Sequence, residues 1–432
     1  MPANRVEVIT IGDELLLGFT IDTNGAHLAR ELAAIGIEVP RRAAVGDDAD
    51  AIAGAVREAL ERTGAAITTG GLGPTSDDRS KAAVASLFGR EMRLDEEHLA
   101  WMDARWQARF KRPLPASNRA QAMIPAGARK LTNNHGSAPG IWLEDNRGRW
   151  VAMLPGVPRE MRGMLADTLI PLLRSRGGGE AVVQSQTLRT TGVAESLLAD
   201  WIDGIEGGFP GLDLAYLPHP DGVDLRLTAR GLSATEAEEV LDRAARRLRD
   251  RIGVAVYGEG DTDLAAVVLE MCRRAGLRLA VGESCTGGLV GARLTAIAGS
   301  SDVVVGGVIA YNNDVKVALL GVDPGDLVTH GAVSEPIVRQ MAAGARATMR
   351  AHVGVAVTGI AGPTGGTPEK PVGTVWIATD VEGEARSVGL RLWGDRDEIR
   401  RRSAQAVLDL TRHALFARQS EQSSAAAGTG RA

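Results

Sequence analysis

Leu277-Arg278-Leu279-Ala280-Val281-Gly282-Glu283-Ser284-Cys285-Thr286-Gly287-Gly288 reads as an apolar strand that stops at a serine and passes through two glycines. A helix-like segment starts near Leu289, so Ser284 is placed in a strand-to-helix loop. Backbone N–H groups at the start of that helix have no partner within it, and Gly287 and Gly288 leave room for a phosphate or a developing oxyanion to approach them. Downstream, Tyr311-Asn312-Asn313-Asp314-Val315-Lys316 supplies a phenol and an amine. A serine is a weak nucleophile until a base takes its proton, and a lysine whose pKa is lowered by burial can act as that base. Lys316 is the candidate, against the plain alternative that both residues are ordinary surface groups.

Working outward, strands are predicted over Leu277–Val281, Val303–Tyr311, Val353–Thr358, Val372–Thr379 and Ala385–Leu392. Helices are predicted over Leu264–Ala275 and Asp395–Arg412. Tyr311 and Thr358 fall at strand ends, the rim where open α/β sheets form ligand crevices. The first third alternates in the same way: strand Arg5–Ile11, helix Thr23–Ile35, strand Ile37–Arg42, helix Ala49–Arg62, strand Ala65–Thr69. Such alternation predicts a doubly wound α/β domain. It ends near Leu173, where Arg174-Ser175-Arg176-Gly177-Gly178-Gly179-Glu180 has the polar, glycine-rich character of a linker. Between the two lies a smaller βαββα pattern: Val182–Arg189, Ala194–Ile205, Asp213–Leu217, Val223–Ala229 and Thr235–Arg251. The expected boundaries are therefore 1–173, 180–258 and 260–418, with 419–432 a disordered tail rich in Ser, Ala, Gly and Gln.

With 432 residues the chain is long enough for several hydrophobic cores. Its net charge of −5 gives no overall basic field to hold nucleic acid, and small anionic metabolites are the easier ligands to accommodate. Cys272 and Cys285 are the only cysteines, too few for a disulfide framework or a thiolate zinc site. No signal-like core and no membrane-length apolar run is read, so a cytoplasmic location is expected. Cys285 beside the serine is a rival nucleophile; a small buried cysteine is the commoner reading of such a residue.

In the first domain, Gly70, Gly71 and Gly73 follow a strand and precede a helix, which lets their backbone approach a pyrophosphate. Asp77 and Asp78 beside them would repel that ligand unless a divalent cation lay between, although an aspartate there can equally cap the following helix.

Several long motifs occur in order: ESCTGG at Glu283–Gly288, Tyr311 with Lys316, HGAVSEP at His330–Pro336, VTGIAGP at Val357–Pro363, KPVGTVW at Lys370–Trp376 and GDR at Gly394–Arg396. In this the chain resembles the CinA family, and its last part looks like a nicotinamide mononucleotide deamidase. The resemblance implies that Ser284 is the nucleophile, Lys316 the general base and Tyr311 a supporting hydroxyl, with Thr358 and Arg396 in the site. Arg400, one helical turn on, is an alternative to Arg396 for a phosphate.

The motifs ITIGDELLLGFTIDTN at Ile9–Asn24, TTGGLGPTSDD at Thr68–Asp78, NNHGSAPG at Asn133–Gly140 and MLPGVPREM at Met153–Met161 resemble the molybdopterin-binding domain superfamily in the form fused within CinA proteins. That form implies metal-dependent cleavage of ADP-ribose to AMP and ribose 5-phosphate. A divalent cation such as Mg²⁺ would lie at Asp78, with Asp13, Asp47 and Glu160 as further ligands, and Gly70, Gly71 and Gly73 on the substrate. The middle unit is implied to be a KH-like α+β linker domain, yet it shows no convincing G-x-x-G clamp at a helix start, which speaks against nucleic-acid binding there. A homodimer is expected from the resemblance. Two other readings compete with a two-activity enzyme: a molybdopterin-binding cofactor protein, and a binding protein of competence or recombination without turnover.

Overall fold

The computed structural model describes residues 5–75, 77–176, 182–204 and 208–429, with the backbone alone beyond 422. Linker residues 177–180, Ile205 at the end of one expected helix, and 430–432 of the tail lie outside the described residues. The chain divides into two compact units, one running to Gln184 and including Ala229–Val240, the other formed by Ser185–Thr228 and everything from Leu241 onward.

In the first unit six strands form one sheet, in the order Arg42–Val45, Glu7–Ile11, Ala65–Thr69, Trp150–Leu154, Gly140–Glu144, Arg129–Leu131. The first four run parallel and the last two antiparallel. Side chains of a strand alternate between faces. Val8, Ile67 and Ala152 accordingly enter one core with Leu28 and Leu32 of helix Thr23–Ala33, while Ile9, Ala66 and Val151 enter another with Ile52 and Val56 of helix Ala49–Arg62. Helices on both faces make the expected doubly wound domain. The second strand differs from expectation: pairing begins at Arg42, not Ile37, with only a bridge between Arg5 and Glu38 before it. Pro40 interrupts the earlier stretch and has no N–H to give a ladder.

The small α+β segment forms a four-stranded sheet ordered Leu212–His219, Gly222–Leu232, Val182–Thr190, Val256–Glu259. In the second unit five strands follow the order Val304–Ile309, Leu279–Glu283, Val353–Gly359, Thr374–Val381, Glu384–Arg391. The first three are parallel and the last two antiparallel, which brings the ends of Leu279–Glu283, Val304–Ile309 and Val353–Gly359 to one rim. The final helix, Arg396–Thr429, continues through the stretch expected to be disordered. Extending a helix already docked on the sheet needs no new nucleus, and the alanines at 425–427 favour its continuation. Among the described residues no helix is long and apolar enough to cross a membrane.

Helix Glu335–Thr348 lies backbone to backbone on the end of helix Asn313–Leu320, because a Cβ built on Gly344 would stand 1.8 Å from the Leu320 carbonyl oxygen. Gly344→Ala is therefore expected to force the two helices apart and cost about 1–3 kcal/mol of stability. Urea denaturation checks this; an unchanged midpoint would show that the contact is slack.

Candidate active site

Leu279–Glu283 is buried along its whole length and delivers Ser284 to the rim, where the Ser284 N–H donates to Val357 O at 2.9 Å. Strand Val304–Ile309 leads to Tyr311, and the Asn312 side chain accepts from the Asp314 N–H at 2.9 Å, capping helix Asn313–Leu320. Lys316 sits in the first turn of that helix. These groups line a cleft of about 210 Å³ together with Thr358 and Arg396. Ser284, Tyr311, Lys316, Thr358 and Arg396, picked from the sequence, thus meet, although the first and last lie 112 positions apart.

Lys316 is 1 % exposed and Ser284 8 %, whereas the Tyr311 ring stands 62 % exposed at the mouth. Burial pushes the Lys316 amine below its ordinary pKa, and the neighbouring Cys285 opposes this less strongly. Its Nζ donates to Ala310 O at 2.7 Å and to Tyr311 O at 3.4 Å. In the neutral amine those bonds use two N–H groups and leave the lone pair for a proton. No direct hydrogen bond joins Ser284 Oγ to Lys316 Nζ among the described residues, and such contacts are commonly looser before substrate binds.

The serine loop corrects one expectation. Gly288, at φ 95°, caps helix Leu289–Thr295 in a backbone conformation that other residues resist. Its N–H is not free: it donates to the Glu283 carboxylate at 3.0 Å, as do Val290 N–H at 3.1 Å and Gly291 N–H at 2.8 Å. The Gly287 N–H donates to Ser284 O at 3.0 Å. Both glycines shape the loop rather than contact a ligand through their amides, and the buried Glu283 already supplies the negative charge that the helix start favours. Only the Cys285 and Thr286 N–H groups remain without an acceptor among the described residues. Of the two residues, Cys285 lines the cleft and Thr286 is fully buried away from it. Glu283 escaped the sequence reading, although an acid ending an apolar strand just before a glycine-led helix is a signal for such a cap.

The two arginines part in the same way. Arg400 donates from Nε and Nη2 to the Thr286 carbonyl, at 3.3 and 2.9 Å, and so braces the serine loop. Arg396 faces the cleft, donating to Gly362 O at 2.6 Å and to the Tyr311 hydroxyl at 3.0 Å. Thr358 donates to Ala332 O at 2.8 Å and pins the loop before helix Glu335–Thr348. Cys285 is 5 % exposed and part of the hydrophobic core, and burial pushes its thiol up to about 12. A thiol held neutral is a poor nucleophile.

In the first unit the acidic residues divide. Asp78 does not stand free as a ligand: its carboxylate accepts from Gly73 N–H at 2.7 Å, Thr75 N–H at 2.8 Å and Thr75 Oγ1 at 2.6 Å, folding the glycine loop. Gly73 is thereby committed as well, and the Gly70 N–H donates to Leu154 O at 3.1 Å, leaving Gly71 as the glycine of the three whose amide has no partner among the described residues. Glu160 accepts from Asn133 Nδ2 at 2.7 Å and belongs to a different corner. Asp13 and Asp47 do come together, each accepting the other's backbone N–H at 3.1 Å. Burial raises the Asp47 pKa, and the Asp13, Glu14 and Asp77 carboxylates raise it further, against a lowering bond from the Asp13 amide. Among the described residues no three acidic, histidine or cysteine side chains are placed to hold a metal ion by themselves. A buried lysine was missed: Lys81, pushed down to about 8 by burial, ties the turn Ala116–Ala122 to the helix after the glycine loop through Ala120 O and Gln121 O.

Comparison with known proteins matches residues 261–415 to the CinA C-terminal domain, residues 7–175 to a probable molybdopterin binding domain, and residues 185–258 to the damage-inducible protein CinA KH domain. A CinA-like protein of Gemmatimonas aurantiaca is 60 % identical over 415 residues, covering 96 % of this chain and 97 % of the relative. One from Gloeobacter violaceus is 43 % identical over 416 residues, with 96 % and 97 % covered. Among solved structures, a competence/damage inducible protein from Agrobacterium tumefaciens is 45 % identical, with a TM-score of 0.34, and the match covers 35 % of this chain and 93 % of that one.

Proposed function

The chain belongs to the CinA family, and from that premise we propose that its C-terminal site hydrolyses the carboxamide of nicotinamide mononucleotide to nicotinate mononucleotide and ammonia. The observation that carries this reading is Lys316: an amine 1 % exposed, with its pKa lowered by burial, lining one cleft with Ser284. Neutral Lys316 takes the Ser284 proton as Oγ attacks the carboxamide carbon. The developing oxyanion is met by the Cys285 N–H, worth about 3 kcal/mol when well aimed. Protonated Lys316 then gives its proton to the departing nitrogen, which leaves as ammonia, and an ester on Ser284 remains. Water, deprotonated by the same amine, cleaves that ester and releases the carboxylate product. Arg396 is suited to the substrate's phosphate, because a guanidinium presents a fork that matches phosphate oxygens. Ammonia release from nicotinamide mononucleotide by the full-length protein tests the reading, and its absence would end it.

A second activity is proposed for the first unit, hydrolysis of the pyrophosphate bond of ADP-ribose to give AMP and ribose 5-phosphate. The crowding of Asp13, Glu14 and Asp77 on Asp47 favours it, since like charges gathered beside a glycine loop suit a divalent cation. Asp13 and Asp47 would hold such an ion together with phosphate oxygens, while Asp78 and Glu160 are committed to Gly73, Thr75 and Asn133. When bound, Mg²⁺ would neutralise charge on the pyrophosphate. EDTA is expected to abolish ADP-ribose cleavage and to leave deamidation unchanged, as followed by AMP and ammonia release in parallel. Equal loss of both, in protein that stays folded, would contradict two separate sites.

A further inference from the structure

Two asparagines stand at the start of helix Asn313–Leu320, and they do different things. Asn312 Oδ1 accepts from the Asp314 N–H at 2.9 Å and is the cap. Asn313, the first residue inside the helix, is exposed, and its side chain makes no hydrogen bond among the described residues. With the cap already made, the first turn has no use for a second side-chain amide, and asparagine is a weak helix former. Yet Asn313 lines the same cleft of about 210 Å³ as Ser284 and Lys316. Residues three apart on a helix share a face, so Asn313 is the neighbour of Lys316 on the face turned to that cleft.

The other polar groups of the cleft are donors or are already engaged. The Cys285 N–H and Arg396 can only donate. Lys316 donates to Ala310 O and Tyr311 O, and its lone pair is needed for the Ser284 proton. The Thr358 hydroxyl donates to Ala332 O, and the Tyr311 hydroxyl accepts from Arg396. A primary carboxamide brings a carbonyl acceptor and two N–H donors. The Cys285 N–H answers the carbonyl, but the N–H groups, stripped of water in so small a cleft, still require an acceptor. Asn313 Oδ1 supplies one next to the amine that protonates the departing nitrogen.

We infer that Asn313 is a specificity-determining residue, whose Oδ1 accepts a hydrogen bond from the substrate's carboxamide NH₂ and so favours an amide over an ester. The inference rests on the deamidation reading above and adds the group that reads the leaving nitrogen. The test compares kcat/KM of the full-length protein for nicotinamide mononucleotide and for nicotinate mononucleotide methyl ester, followed by ammonia and methanol release. The ester keeps the ring, sugar and phosphate and has no N–H at the reacting carbon. Asn313→Ala should lower the amide-to-ester ratio about ten-fold, because the amide loses a hydrogen bond that the ester never made. Its melting temperature should hold, since Asn312 retains the cap. Asn313→Asp keeps an acceptor at the same reach, so its ratio should stay near that of the wild type even where the added charge, by favouring protonated Lys316, slows both reactions. An unchanged ratio in Asn313→Ala, an equal loss with both compounds, or a ratio that falls as far in Asn313→Asp would overturn the inference and leave the deamidase reading standing. A wild type that releases neither ammonia nor methanol would overturn the reading itself, and this inference with it.

Discussion

Lys316→Arg is expected to lower deamidation on the order of 10³-fold or more, although it keeps the positive charge. Arginine holds its proton throughout the accessible pH range and has no lone pair to take one from Ser284. A lysine serving only to attract an anion would tolerate the exchange. In the wild type the pH profile should carry the same signature. Low pH protonates Lys316 and silences it, and the rate should rise with pH through a limb lying below the ordinary lysine value of about 10.4, because burial disfavours the charged amine. Arginine should remove the limb together with the activity. Substantial turnover by a folded Lys316→Arg protein would contradict the general-base role.

Ser284→Ala is expected to abolish deamidation to a similar extent with the fold intact, while Cys285→Ala keeps most of the activity. Both residues line the cleft, so the contrast rests on chemistry: the Ser284 hydroxyl ends a buried strand, whereas burial holds the Cys285 thiol neutral against the core. Loss of the thiol removes a small apolar group and leaves a minor void. Initial rates of ammonia release, with circular dichroism as the control for folding, separate the two. An inactive but folded Cys285→Ala enzyme would transfer the nucleophile's role to sulfur.

The parts of this architecture written as periodic apolar patterns were legible before the structure. Strands Glu7–Ile11, Ala65–Thr69 and Leu279–Glu283 are buried at every position because both faces are covered, and each ends where a loop begins. The convergence of Ser284, Lys316, Thr358 and Arg396 was legible through the resemblance and through strand ends sharing a rim. What escaped was the partner of each polar group. Asp78 beside glycines looks the same in sequence whether it binds a cation or folds its own loop, and only the Gly73 and Thr75 bonds decide. Gly287 and Gly288 signal an open backbone, yet Glu283 and Ser284 O occupy their amides. The tail erred in the other direction, because composition describes an isolated segment and not one extending a docked helix.

The most direct test of the Ser284–Lys316 account is acid quenching of the enzyme during turnover of nicotinamide mononucleotide, followed by mass analysis of its peptides. A nicotinate mononucleotide ester on the peptide containing Ser284, absent from Ser284→Ala, is the expected result. Ammonia released with the adduct on Cys285, or released at full rate by the Ser284→Ala protein, would contradict it.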